Sequence, residues 1–203
     1  MTAPEVVVIS TGCANLASVC AAFRRLGAAP VVTRDHRAIE TARAVVLPGV
    51  GSFGAGMHAL RGSGLADRLA ARVRSGRSLL AICLGLQLLC DQSEESPGVR
   101  GLGLVPGTVR RLGQAPRVPQ MGWNQIDPRP RPPADAPALL APARMYFANS
   151  FALGTIPEGW HGATTEYGGA FVSALQRGPL LACQFHPELS ARAGLELMQR
   201  WLT

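Results

Sequence analysis

At 203 residues, 47% hydrophobic and 16% charged, the chain can enclose an apolar core as one domain over residues 1–203 without disulfides. Its +7 charge is carried by arginine alone, scattered from Arg24 to Arg200 among only 5% aromatics. This disfavours a nucleic-acid-binding face and leaves a solvated surface, part of which could meet an acidic protein partner. The five cysteines (Cys13, Cys20, Cys83, Cys90, Cys183) are odd in number and lack a Cys-x-x-Cys pair, which argues against a disulfide or zinc framework. With no basic start before Ile9 and no apolar run near the ~20 residues of a membrane span, a cytoplasmic protein is expected.

Val6-Val7-Val8-Ile9 is a β-branched run and reads as a buried strand. A loop follows, Thr11 to Asn15, and then Leu16, Val19, Phe23 and Leu26 recur at helical spacing until Gly27. Val31–Thr33 and Ala44–Leu47 read as further strands, the latter ending in Pro48-Gly49-Val50-Gly51. Helical patterning returns between Leu65 and Val73, with Gly76 as its stop. Ser78–Ile82 is a buried strand that ends on Cys83, and Leu86 to Cys90 continues as an apolar helical run. Alternation of strand and helix predicts an α/β fold, a mostly parallel central sheet with helices on both faces. After Pro97 a strand-rich insertion is expected, with short strands over Gly101–Val109 and an irregular Pro/Ala/Arg loop from Asp127 to Pro142. Strands at Phe171–Ser173 and Leu180–Ala182 and a last helix with Leu195, Met198 and Leu202 on one face complete the chain.

Strand, Cys83, Gly85 and helix form the pattern of a nucleophile elbow, a sharp turn that lifts one side chain above the sheet. Gly85 relieves crowding in that turn. The helix N-terminus behind it supplies free N–H groups and positive dipole, which suit an attacking sulphur. Gln184-Phe185-His186-Pro187-Glu188 follows the penultimate strand. Pro187 keeps His186 out of helical conformation, so His186 could take the thiol proton and Glu188 orient and charge-balance the imidazole. Separately, His186 could be a strand cap and Glu188 a first-turn acid; beside an elbow cysteine, the Cys83–His186–Glu188 triad is the stronger reading. The Pro48–Phe53 turn lacks the lysine of a phosphate loop. It is either a plain tight turn or, with the N–H of Leu84, an oxyanion hole.

These residues resemble class I, triad-type glutamine amidotransferases, and within them the glutaminase subunit of imidazole glycerol phosphate synthase. The narrower resemblance rests on Thr11–Leu16, Pro48–Phe53, Ser93–Gly98, Pro119-Gln120-Met121-Gly122-Trp123-Asn124 and Tyr146–Phe151. It implies a flavodoxin-like α/β fold, with neither cofactor nor metal, and hydrolysis of glutamine to glutamate and ammonia. Cys83 would form a thioester, with Val50, Gly51 and Leu84 around the oxyanion. Gly49, Gly51, Gln87, Glu95, Ser150 and Phe151 would hold the substrate. The implied partner is a (β/α)₈-barrel cyclase subunit, which would use the ammonia to make imidazole glycerol phosphate and aminoimidazole carboxamide ribotide. Asn15, Met121, Trp123, Asn124 and Tyr146 would face it, Trp123 from an exposed Gly-Trp-Asn loop. Gln120 and Asn149 stand where the family usually or often has histidine, and Leu189 where it favours lysine. A glutaminase of another synthase, a silent scaffold subunit and a Cys–His hydrolase on the same fold are the alternatives. The Met121–Asn124 block disfavours the first and the complete triad the second; the third would not require Gln87, Glu95 or the Trp123 segment.

Overall fold

The computed structural model describes residues 3–12, 15–129 and 139–203. In chain order its strands are β1 (Glu5–Ile9), β2 (Ala29–Thr33), β3 (Ala44–Gly49), β4 (Leu79–Cys83), β5 (Cys90–Ser93), β6 (Val105–Arg111), β7 (Gln120–Arg129), β8 (Ala143–Asn149), β9 (Phe151–Leu153), β10 (His161–Glu166), β11 (Ala170–Arg177) and β12 (Leu180–Cys183). The helices are α1 (Leu16–Arg25), α2 (His36–Thr41), α3 (Phe53–Gly62), α4 (Leu65–Arg74), α5 (Leu84–Leu89) and α6 (Ala191–Leu202), with a 3₁₀ turn at Pro187–Leu189.

The main sheet has nine strands in the order β2-β1-β3-β4-β12-β11-β10-β7-β8. From β2 to β12 the pairings are parallel; from β12 to β8 they are antiparallel. The sheet is therefore mixed. Unbroken apolar runs in β1, β3, β4 and β12 bury side chains on both faces, as central parallel strands must. Val6, Val8, Val46, Leu80 and Ile82 pack with Phe23, Met198 and Trp201 from α1 and α6. Val7, Ile9, Val45, Leu47 and Leu79 pack with Phe53, Met57, Leu60, Leu65 and Leu69 from α3 and α4.

Much of the strand-rich region after Pro97 continues the main sheet through β7, β8, β10 and β11, while β6 and β9 join β5 in a separate three-stranded sheet. Three expectations change. Met121–Asn124, expected as a loop carrying Trp123, lies within β7 and pairs with Met145–Ala148 of β8. Asp127–Arg129, expected in the irregular loop, end the same strand; residues 130–138 of that loop lie outside the described residues. The helix after the elbow runs from Leu84 to Leu89, and Cys90 opens β5 instead of closing the helix.

The register sets the site. Gly49 at the end of β3 pairs with Cys83 at the end of β4, and Ile82 pairs with Cys183 at the end of β12. The loops leaving these strands share one edge of the sheet, the carboxyl edge where α/β folds place ligands.

Candidate active site

Cys83 ends β4 and caps α5 with φ +54° and ψ −110°. A side chain at positive φ is strained, at a cost of about 1–3 kcal/mol, and such residues cluster at functional sites. The strain aims the sulphur out of the sheet. Gly49 and Gly85 let the elbow press against the sheet, since a Cβ on Gly85 would stand 2.1 Å from the carbonyl oxygen of Leu47. His186 leaves β12 in extended conformation (φ −100°, ψ +94°), and Pro187 starts the 3₁₀ turn that carries Glu188. His186 Nδ1 lies 2.9 Å from Glu188 Oε1, with both side chains buried. A carboxylate only accepts, so Nδ1 donates to Glu188 and Nε2 holds the proton shared with the sulphur.

Burial alone would lower the affinity of His186 for a proton. Hydrogen bonds to Cys83 and Glu188, and the charges of both, overcome it and push the pKa from its ordinary 6.5 up to about 10. A pKa raised by folding contributes stability that is complete below 6.5 and is lost as the pH rises through about 10. The thermal midpoint of the wild-type chain is thus expected to fall more steeply across that window than the midpoint of His186→Gln. Parallel profiles would show that the site gives the imidazole no extra proton affinity. Two other thiols are held inert. Burial, then the charge of Asp91, pushes Cys90 up to about 12, and burial, then Glu188, pushes Cys183 well above its ordinary value.

A cavity of about 270 Å³ opens over the sulphur, below the ~300–1,000 Å³ of drug-sized sites and suited to a molecule of amino-acid size. The structure brings Val50, Gly51, Cys83, Leu84, Gln87, Glu95, Ser150, Phe151 and His186 together on its wall, with Pro119, Ala148 and Asn149. Gly49 is not on that wall; it lies behind the elbow, against Leu84 and Gly85. Glu95 Oε2 accepts the N–H of Phe53 at 2.6 Å and Ser96 Oγ that of Gly54 at 2.9 Å. Both satisfy the start of α3 and fix Glu95 at the cavity.

On the outer face of the β7–β8 ribbon, Met121 is 68% and Trp123 45% exposed. Trp123 meets Tyr146 edge to face, ring centres 6.2 Å apart. Asn15 and Asn124 already have structural tasks. Asn15 accepts the Ser18 N–H and caps α1, and Asn124 donates to the carbonyl of Glu166.

Sequence reasoning missed two site residues. Ser190, fully buried, donates to the carbonyl of His186 at 2.6 Å and accepts the N–H of Tyr146 at 2.9 Å, while the N–H of His186 donates to the Tyr146 carbonyl at 2.8 Å. The histidine turn is thereby fastened to β8. Gln184 is also fully buried and reaches the sulphur. Gln120 Oε1 and Asn149 Oδ1, neighbours across β7 and β8, are buried with no partner among the described residues.

An elbow cysteine, a carboxylate-backed histidine and a small cavity come together on a mixed α/β sheet. The sequence profile described as glutamine amidotransferase class-I matches residues 7–202, and the chain belongs to the class I glutamine amidotransferases. A solved structure described as a glutamine amidotransferase superposes with a TM-score of 0.76 at 22% identity, covering 97% of this chain and 96% of that one. The structure described as PurLQS from Thermotoga maritima gives 0.75 at 18% identity, covering 98% of each chain. Both share the fold. The imidazole glycerol phosphate synthase subunit HisH of Symbiobacterium thermophilum is 41% identical over 197 residues, 97% of this chain and 92% of that protein. HisH of Deinococcus radiodurans is 43% identical over 201 residues, with the same two coverages. Within the class, the chain belongs to the HisH family, the glutaminase subunits of imidazole glycerol phosphate synthase in histidine biosynthesis.

Proposed function

We propose that this chain hydrolyses glutamine through Cys83, His186 and Glu188 and passes the ammonia to a (β/α)₈-barrel cyclase subunit bound at the Met121–Trp123–Tyr146 face. The observation that carries the reading is the 2.9 Å His186–Glu188 contact beside a strained cysteine in a small cavity. With its pKa near 10, His186 already holds the proton it shares with Cys83 as Sγ attacks the side-chain amide carbon. N–H groups around Val50, Gly51 and Leu84 stabilise the oxyanion, each worth about 10²–10³ in rate. His186 returns the proton to the amide nitrogen, the C–N bond breaks, and ammonia leaves a thioester. Water then loses a proton to His186 and attacks the thioester carbon, releasing glutamate, and the sulphur regains its proton. Glu95, held by Phe53, offers its carboxylate to the substrate ammonium, and Ser150 and Phe151 flank the amino acid.

Residues 1–203 act as a single amidotransferase domain in this reading. An exposed Met–Trp pair on a sheet ribbon supports the docking face, since aromatic anchors dominate interfaces. Coupling to the partner has a direct route, because Tyr146 on that face is bonded through Ser190 to the histidine turn. Among the described residues, four buried free cysteines, Cys20, Cys83, Cys90 and Cys183, support a cytoplasmic setting. No described helix is long and apolar enough to cross a membrane.

The test is glutamate release by the chain alone, with its cyclase subunit, and with that subunit plus its nucleotide substrate. Near-silence alone and strong activity in the full mixture are expected. Trp123→Ala should weaken cyclase binding by about 10-fold or more and require correspondingly more cyclase for the same rate. Activity independent of the cyclase, or unchanged affinity of Trp123→Ala, would refute the partner reading.

A further inference from the structure

Gln184 lies outside the triad and off the cavity wall, yet both ends of its amide are committed. Its Oε1 accepts from Gln87 Nε2 at 3.0 Å, and its Nε2 lies 3.7 Å from Cys83 Sγ, an ordinary separation for a hydrogen bond to sulphur. Gln87 Nε2 also donates to the backbone carbonyl of Phe151 at 3.0 Å. That carbonyl dictates the direction of the whole chain. It can only accept, so Gln87 must turn its nitrogen towards it. The second hydrogen of that nitrogen then points at Gln184, which must answer with oxygen. The Gln184 nitrogen is left facing the sulphur. Turning Gln184 over would set nitrogen against nitrogen at one end and an oxygen acceptor against sulphur at the other.

We infer that Gln184 is a positioning residue for the nucleophile: a fully buried amide N–H, polarised through Gln87 from the Phe151 carbonyl, that aims Cys83 Sγ and stabilises the negative charge it carries while its proton is on His186. The inference rests on Cys83 being the nucleophile. A hydrogen bond to a charged acceptor away from water is about twice as strong as a neutral one. The donor comes from the segment between β12 and His186, the acceptor from the elbow and the chain's origin from β9, so one file of amides ties three parts of the site together. The sulphur meets the Gln184 N–H at 3.7 Å, the Ala148 carbonyl at 3.9 Å and the His186 imidazole, so Gln184 is the amide donor at the developing charge.

The test compares Gln184→Met, which keeps the length and removes the donor, with Gln184→Glu, which replaces the donor by an acceptor. Glutamate release is measured in the complex with the cyclase, and alkylation of Cys83 by iodoacetamide is followed across pH on the Cys83 peptide. For Gln184→Met, kcat should fall about 10–100-fold, the effect of one hydrogen bond to a charged group. Gln184→Glu should fall further, and KM should stay within about 3-fold because Gln184 does not touch the cavity. Alkylation in both should be displaced to higher pH by about one unit. Gln87→Glu reverses the amide file without altering Gln184 and should displace the alkylation profile the same way, which guards against a Gln184 variant that does not fold. Superimposed alkylation profiles, or a loss confined to KM, would overturn the inference. Cys83→Ala separates the two levels. Hydrolysis that survives it defeats the active-site reading itself, whereas wild-type behaviour of the Gln184 variants with a silent Cys83→Ala defeats only the role of Gln184.

Discussion

Cys83→Ala is expected to lower glutamine hydrolysis by about 10⁴-fold or more, the scale on which a covalent nucleophile is lost, while binding of the cyclase subunit is unchanged. The two outcomes separate because the residue and the docking face are distinct. Cys83 is 7% exposed at the floor of the cavity, whereas Met121 and Trp123 are 68% and 45% exposed on the β7–β8 ribbon. No other described thiol can take over. Cys20, Cys90 and Cys183 are all buried and none lines the cavity, and burial pushes Cys90 and Cys183 further from reactivity. The backbone adds a second readout. At φ +54° alanine keeps the strain of cysteine and glycine releases it, so Cys83→Gly should be more stable than Cys83→Ala by about 1–3 kcal/mol. Glutamate release and thermal unfolding of the two variants test both points. Residual hydrolysis in pure Cys83→Ala would remove the nucleophile; equal stabilities would mean that the elbow stores no strain.

The inner strands of the parallel half of the sheet were legible because they are buried on both faces and read as uninterrupted apolar runs, Val6–Ile9, Ala44–Leu47 and Leu79–Ile82. The grouping of Cys83, His186 and Glu188 has a related basis. Cys83 and His186 both follow such runs, in β4 and β12, which pair side by side in the sheet. β7 was missed because its alternation is inverted. Gln120 and Asn124 turn towards the body of the protein, while Met121 and Trp123 turn outward, and a half-buried strand is recognised by the opposite arrangement. Gly122 and Pro128 weaken the signal further. A surface suited to a partner thus hides the strand that carries it. α3 was missed because glycine-rich sequence drew attention to the turn before it, although Ser52 caps that helix. Ser190 and Gln184 were beyond reach for another reason. Each acts through hydrogen bonds to residues distant in sequence, Tyr146 for one and Cys83 and Gln87 for the other, and no local pattern encodes such a pairing.

Gly85→Ala should be the most damaging single-methyl change in the elbow. The added carbon would lie 2.1 Å from the Leu47 carbonyl oxygen and 3.5 Å from the Leu47 side chain. The first neighbour is backbone in the middle of β3, paired in the sheet with Ala81 of β4, so it cannot swing aside as a flexible side chain would. α5 must retreat from the sheet. Overpacking of this kind costs about 1–3 kcal/mol when side chains can absorb it; here the upper end or more is expected. For a chain of this size that corresponds to a thermal midpoint lower by about 6–12 °C. The chemical penalty is separate and larger in proportion. α5 carries Leu84 and Gln87 and starts at Cys83, so its displacement moves the nucleophile, an oxyanion donor and the amide file together. A misplacement of about 1 Å costs on the order of 10²-fold in rate. Activity measured well below the variant's own midpoint should therefore be reduced about 100-fold or more with the protein still folded. Gly49→Ala provides the comparison, since its added carbon would meet Leu84 Cβ at 3.0 Å and the Gly85 nitrogen at 3.2 Å, tight contacts but no 2.1 Å overlap, and its losses should be smaller on both measures. A Gly85→Ala protein with wild-type stability and rate would show that the elbow is not wedged against β3, and the physical argument for a cysteine held rigidly above the sheet would fail with it.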